Sequence, residues 1–101
     1  MAHPIPDIND PHIQEVGRFA VTEHVKEAND GIKFKKVVSG DMENDSSGAS
    51  FNRAESDKVL TMYTLVIDAS KSDGKDAQYK AVVYERSWWK GLTLLSFRPA
   101  N

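Results

Sequence analysis

One stretch governs what this chain can become. Asp10 to Gly31, DPHIQEVGRFAVTEHVKEANDG, is the segment long and periodic enough to specify a helix by itself. Asp10 offers an acceptor to the free N–H groups of a first turn, and Pro11 follows where its missing donor costs nothing and its fixed φ suits a helix. Ile13, Val16, Gly17, Ala20, His24 and Ala28 recur at helical spacing with Phe19 beside them, while Gln14, Glu15, Arg18, Glu23 and Lys26 supply the solvent face. Asn29, Asp30 and Gly31 end it, Gly31 being suited to the left-handed position past a helix terminus. Gly17 lies within the apolar stripe, where glycine is about 1 kcal/mol worse than alanine. It therefore calls for close approach of another backbone, most simply a sheet crossing that face. His24 fills the same interface.

Everything after the helix reads as strands. Ile32, Phe34 and Val38 alternate with Lys33, Lys35 and Val37, giving one face to the helix, although Lys36 interrupts the inner side. Gly40 to Asp57, GDMENDSSGASFNRAESD, is polar and reads as a loop. Its length passes the roughly 12 to 15 residues at which loops in compact domains become unusual, so residues 41–57 are functional or disordered, and are expected to be highly mobile. Lys58 to Ala69 is dense in β-branched and aromatic residues, with Tyr63, Leu65 and Ile67 on one face. Tyr79 to Arg86 answers it across a tight reversal at Asp73–Gly74. A second reversal at Trp88 to Gly91 leads into Leu92 to Phe97, which Arg98 and Pro99 end. Met1 to Asn9, with two prolines, is an extended arm able to add a short edge strand. One helix and a meander of strands define an α+β fold, the helix packed on one face of an antiparallel sheet.

Composition narrows the function. The 101 residues are enough for one domain and too few for two. Thirteen basic against fifteen acidic side chains give a net charge of -2, which provides no footprint for nucleic acid or an anionic membrane. Without cysteine there is no disulfide, thiolate metal site or thiol nucleophile. No apolar run approaches the roughly 20 residues of a membrane span and no signal region opens the chain, so secretion and a cytoplasmic location both remain open. His3, His12 and His24 are scattered with no nucleophile motif, so no catalytic set and no enzyme are expected, and no cofactor is called for. Asp41, Glu43 and Asp45 alternate like a calcium loop, but Ser46 and Asn52 stand where glycine and glutamate are needed, and no metal is expected. Asn44–Asp45–Ser46 is a glycosylation acceptor if the chain enters the secretory pathway. Adjacent Trp88 and Trp89 point to opposite faces of a strand, so one lies outward, either covering the sheet edge or anchoring a partner.

Gly17 to Val21, GRFAV, followed by TEHVKEANDGIKF and VVSG, resembles the helix and second strand of the plant cystatins. Pro4, Ile5, Asn9, Asp10 and Pro11 upstream, and SWWKGLTLLSFRPAN from Ser87 to Asn101, fall at spacings similar to that family's ends. The resemblance implies a single cystatin-like domain over residues 1–101, with a four- to five-stranded antiparallel sheet wrapped around one long helix. It implies an inhibitor of papain-like cysteine proteases, expected to be monomeric, with a domain-swapped dimer as the alternative.

Cystatins inhibit with a wedge of three parts: a glycine near the N-terminus, a QxVxG hairpin and a Pro-Trp hairpin. Here Ser87 and Trp88 stand where the last pair would be, so the tryptophan is kept and the proline is not. The N-terminal glycine is absent, leaving Pro4 and Ile5 to represent the arm. Lys36 to Gly40, KVVSG, mimics QxVxG but falls on the second strand counted from Phe19. Counting back from Tyr63 lands on Ser56, Asp57, Lys58, Val59 and Leu60, which occupy the hairpin position without its motif. The preferred reading is a lengthened first hairpin. The other, in which KVVSG becomes the hairpin, would leave only Ile32 to Lys35 as strand and turn alternate side chains to the wrong face. A long acidic loop costs roughly 0.5 to 1.5 kcal/mol per long side chain to order on binding, so inhibition is expected to be weakened. The alternative function is a non-inhibitory cystatin-fold interaction protein, or a scaffold displaying the 41–57 loop.

Overall fold

The computed structural model describes residues 2–45, 60–86 and 89–100, with backbone alone at Asp45, Trp89 and Lys90. The helix, α1, spans Pro11–Ala28. The Asp10 carboxylate accepts from the His12 N–H at 2.8 Å, and Pro11 occupies the first turn. At the other end Asn29, rather than Gly31, is the left-handed cap, with φ 54° and ψ 37°, and its N–H donates to the Val25 carbonyl at 2.8 Å. Gly31 has positive φ as well, two residues further on.

Five strands follow the order β1 (His3–Pro4), β2 (Lys33–Asp45), β3 (Leu60–Ser70), β4 (Asp76–Arg86) and β5 (Trp89–Pro99), every neighbouring pair antiparallel. The arm does supply the edge strand. Between β3 and β4 the turn closes with the Gly74 N–H on the Lys71 carbonyl and the Lys75 N–H on the Asp73 carboxylate, both at 2.9 Å. The core combines Ile13, Val16, Ala20 and Val21 of the helix with Val37, Tyr63, Leu65, Ile67, Ala69, Tyr79, Ala81 and Val83 of the sheet. Alanines at positions 20, 69 and 81 are fully buried and leave room for the helix to lie close. His24 stacks on Phe97 at 4.1 Å, and Phe97 on Tyr79 at 5.1 Å, so the histidine fills the interface as expected.

The second strand departs from the alternation read in the sequence. A register shift between Phe34 and Lys36 inserts an extra residue, and another follows between Val37 and Ser39. Each insertion reverses which face the following residues present. Val37 is therefore buried where Val38 was expected, and Lys36 is exposed, so no charge interrupts the inner side. The strand also runs on through Asp41–Asp45, paired with Thr64–Leu60, so the loop expected from residue 40 begins later. Pairing with β3 along the whole segment, and with β1 at Asp41 and Met42, overrides its low strand propensity. Asp41 and Glu43 thus share one face of a strand. The rest of the expected mobile segment lies outside the described residues. Strands β4 and β5 are longer than expected, and β5 bulges at Leu95, opposite Val82 and Val83 of β4, which throws Leu95 outward at 47% exposure.

Gly17 meets side chains rather than backbone. A Cβ there would collide with Val37 Cγ2 and touch Phe34 Cε1 at 3.0 Å. Replacing Gly17 with leucine is expected to lower stability by about 1 to 3 kcal/mol, through overpacking against the sheet. Thermal melting of Gly17→Leu checks this; a melting temperature at or above the parent's would mean the helix can lift off without cost.

Candidate functional site

Antiparallel pairing gathers three separate parts of the chain at one end of the sheet. Asp45 pairs with Leu60, Leu60 with Arg86, and Arg86 with Trp89, so the connections 46–59 and 87–88 both leave from this row. Strand β1 pairs His3 with Met42 and Pro4 with Asp41, so the arm runs back toward the same end. Pro4 is exposed there. Ile5 donates its N–H to the Gly40 carbonyl at 3.1 Å and packs against the core. Gly40 leaves room for it: a Cβ there would lie 2.9 Å from Leu65 Cδ2 and from the Thr64 carbonyl, and 3.1 Å from Ile5 Cδ1. Lys36–Gly40 is strand interior, paired with β3 as far as Gly40 opposite Leu65.

Leu60 opens β3 and is half-buried. Asp57, Lys58, Val59, Ser87 and Trp88 lie outside the described residues, as does the side chain of Trp89. Their described neighbours, Leu60 and Arg86, stand side by side. Asn44 is exposed near the end of β2, and its side-chain carbonyl accepts from the Thr61 hydroxyl at 2.9 Å. The acceptor asparagine is thus part of a strand rather than a polar loop.

Beneath this end sits a polar cluster that the chain order does not advertise. Glu85 Oε1 accepts from the Tyr63 hydroxyl at 2.7 Å and pairs with His12 Nε2 at 2.8 Å. The His12 ring meets Tyr63 edge-on at 6.3 Å. Burial, together with the Glu85 carboxylate beside it, pushes the Tyr63 phenol well above the usual tyrosine range. The sequence held one signal for the cluster: Tyr79, Ala81, Val83 and Glu85 share a period-two face, which sends a carboxylate inward. As chemistry the cluster holds charge in place. The carboxylate lies between two donors, so it does not orient a base toward a nucleophile. An open groove of about 400 Å³ runs along the same flank of the helix, lined by His12, Glu15, Arg18, Phe19 and Leu92 among others.

A sheet curled on one helix, with an arm and two connections gathered at one end, is the architecture of a cystatin-like α+β protein. The family pattern described as aspartic acid proteinase inhibitor matches residues 5–52, from the arm into the connection after β2. Cysteine proteinase inhibitor 8 of rice, Oryza sativa subsp. japonica, is 42% identical over 97 residues, which is 96% of this chain and 68% of that protein. Cysteine proteinase inhibitor 5 of Arabidopsis thaliana is 37% identical over 98 residues, 97% of this chain and 70% of that protein. Cystatin-1 of Zea mays is 34% identical over 94 residues, 92% of this chain and 58% of that protein. The chain belongs to the family of plant cysteine proteinase inhibitors, the phytocystatins.

The Tyr63 phenol gives the fold an alkaline limit with a definite sign. A tyrosine in the unfolded chain ionises near about pH 10, whereas the folded state holds Tyr63 protonated beyond that. The stability from this bond is present below about pH 10 and is lost as pH rises through the folded value. Tyr63→Phe should cost about 1.5 kcal/mol at neutral pH, with the gap to the parent closing at alkaline pH. Denaturant melts from pH 8 to 11.5 test this; a constant gap would show that the hydroxyl is not held by Glu85.

Proposed function

We propose that the protein inhibits papain-like cysteine proteases by lodging the connection-bearing end of its sheet in the active-site cleft. Convergence of the β2–β3 and β4–β5 connections on one row, Asp45–Leu60–Arg86–Trp89, with the arm paired beside it at Met42 and Asp41, is the observation that carries this reading. Such an end fills a cleft with backbone and apolar contacts and offers no bond in position for cleavage. Pro4, held on β1 by the anchoring of Ile5, supplies the arm's contact. Ser87 and Trp88 supply the second hairpin. Asp57, Lys58, Val59 and Leu60 occupy the first hairpin's position without QxVxG, and ordering a long polar connection weakens the complex. Papain titrated with the protein tests the role directly: loss of activity at micromolar inhibitor, about -8 kcal/mol of binding, is expected, and full activity there would end the proposal.

A second reading has its own support in the family pattern over residues 5–52, described as aspartic acid proteinase inhibitor. That pattern covers KVVSG and the polar end of β2 and runs into the connection after it. On this reading the lengthened connection redirects the same end to an aspartic protease. Pepsin titrated in parallel with papain distinguishes the two. Deleting residues 46–56, which spares Asp57 to Leu60, should then abolish pepsin inhibition, while a papain inhibitor would tolerate the deletion.

If papain is bound, Trp88 is the anchor. Trp88→Ala should weaken binding by at least about 2 kcal/mol, roughly thirtyfold. Trp89→Ala should instead lower the melting temperature and leave the affinity of the folded protein nearly intact. Equal affinities for Trp88→Ala and parent would remove the second hairpin from the contact surface.

A further inference from the structure

We infer that Gln14 is the positioning residue of the N-terminal arm, holding it against the body so that Pro4 is presented to the protease, an inference that rests on the proposed papain inhibition. The arm itself is thinly held. β1 is a two-residue strand, and within residues 4–6 Ile5 carries the one backbone donor, since Pro4 and Pro6 have none. That donor reaches the Gly40 carbonyl at 3.1 Å. The turn leading into the helix is bonded to itself, the Asn9 N–H to the Asp7 carboxylate at 3.0 Å and the Asp10 N–H to the Asp7 carbonyl at 3.1 Å. These bonds fix its bend but not its seat on the sheet. Ile5 and Ile8 pack against the core, and apolar burial is not directional. The Gln14 carboxamide supplies the direction, its Nε2 donating to the Ile8 carbonyl at 2.6 Å.

The orientation of that amide is set from the sheet. The Val37 N–H donates to Gln14 Oε1 at 2.9 Å, so the oxygen of the carboxamide faces the bulge and Nε2 is left for two carbonyls, Ile8 at 2.6 Å and Val37 at 3.2 Å. A glutamate of the same length would still accept from Val37 but would set a carboxylate against both carbonyls, and a methionine would fill the space with neither function. From Ile8 back to Pro4 the chain spans at most about 14 Å, and the prolines at 4 and 6 stiffen it. A fixed Ile8 carbonyl therefore limits where Pro4 can stand beside Asp41. An arm ordered in the free protein has less freedom to lose on binding, which is where Gln14 gains affinity without touching the protease.

The test is a cycle of two changes, Gln14→Glu and removal of residues 2–4, read by papain inhibition constants at neutral pH. In the full chain Gln14→Glu should weaken inhibition about tenfold, the worth of one hydrogen bond to a partly buried carbonyl, and by no more than removal of the arm does. With residues 2–4 gone, Gln14→Glu should change the constant by less than about twofold, because the element it positions is absent. Equal weakening in both backgrounds overturns the inference, since a merely structural glutamine loosens the whole contact between helix and sheet. Removal of residues 2–4 without effect on inhibition overturns it as well. A second readout needs no protease. In the free protein the Ile5 amide should exchange about tenfold faster in Gln14→Glu, relative to the amide of Ala81, which is fully buried in the regularly paired β3–β4 ladder. An unchanged ratio of the two rates overturns the tie to the arm. If Gln14→Glu fails to fold by circular dichroism, Gln14→Met goes through the same measurements with the same expected results. A parent that leaves papain fully active overturns the proposed function instead, and the exchange ratio then decides the tie to the arm alone.

Discussion

The fold depends on one side chain reaching into a bulge. Gln14 of the helix accepts the Val37 N–H on its Oε1 at 2.9 Å and donates from Nε2 to the Val37 carbonyl at 3.2 Å. Both backbone groups lie where β2 shifts register on either side of Val37, so the ladder is interrupted on either side of this residue. An unpaired backbone group shielded from water costs free energy comparable to a lost hydrogen bond, and a carboxamide can satisfy a donor and an acceptor at once. Gln14 Nε2 also reaches the Ile8 carbonyl at 2.6 Å. One residue thus ties together the helix, the bulged strand and the arm.

The placement of the candidate site follows from that tie. With β2 bulged, Val37 turns inward beneath Gly17 while Gly40 faces Leu65, and the arm can lie along β2 with Ile5 over Gly40. Straight pairing would carry Val38 inward and leave Lys36 against the helix. The opposite flank is tied in the same manner, through His12, Glu85 and Tyr63, and further along through His24 stacked on Phe97 and bonded to Asp30 at 2.7 Å. Polar residues at the helix margins orient it, while the alanine-lined centre supplies the area. An apolar face alone would allow the helix to slide, because burial is not directional; hydrogen bonds to fixed backbone atoms give it a register.

The helix was legible because its information is local: a cap, a proline, an apolar stripe and a stop lie within one stretch. The strands were legible in order and type for the same reason, and the inward residues of β3 came out correctly because its pairing with β4 runs without a shift. Gln14 was misread as solvent-facing because helical periodicity assigns a polar residue to the polar side, with no knowledge of an interrupted ladder 23 residues away. The end of β2 was misread for a related reason, since a polar edge segment becomes a strand only when partners flank it.

The sequence by itself determined the helix, the antiparallel meander and the kinship to the phytocystatins, since these rest on short-range spacing and on residue identities aligned along the chain. Tertiary structure alone decided which face of β2 is buried, that Asp41–Asp45 is strand, and that His12, Tyr63 and Glu85 meet. Each of these depends on which residues oppose one another across the sheet, and a one-residue bulge changes that pairing without leaving any periodic trace in the chain.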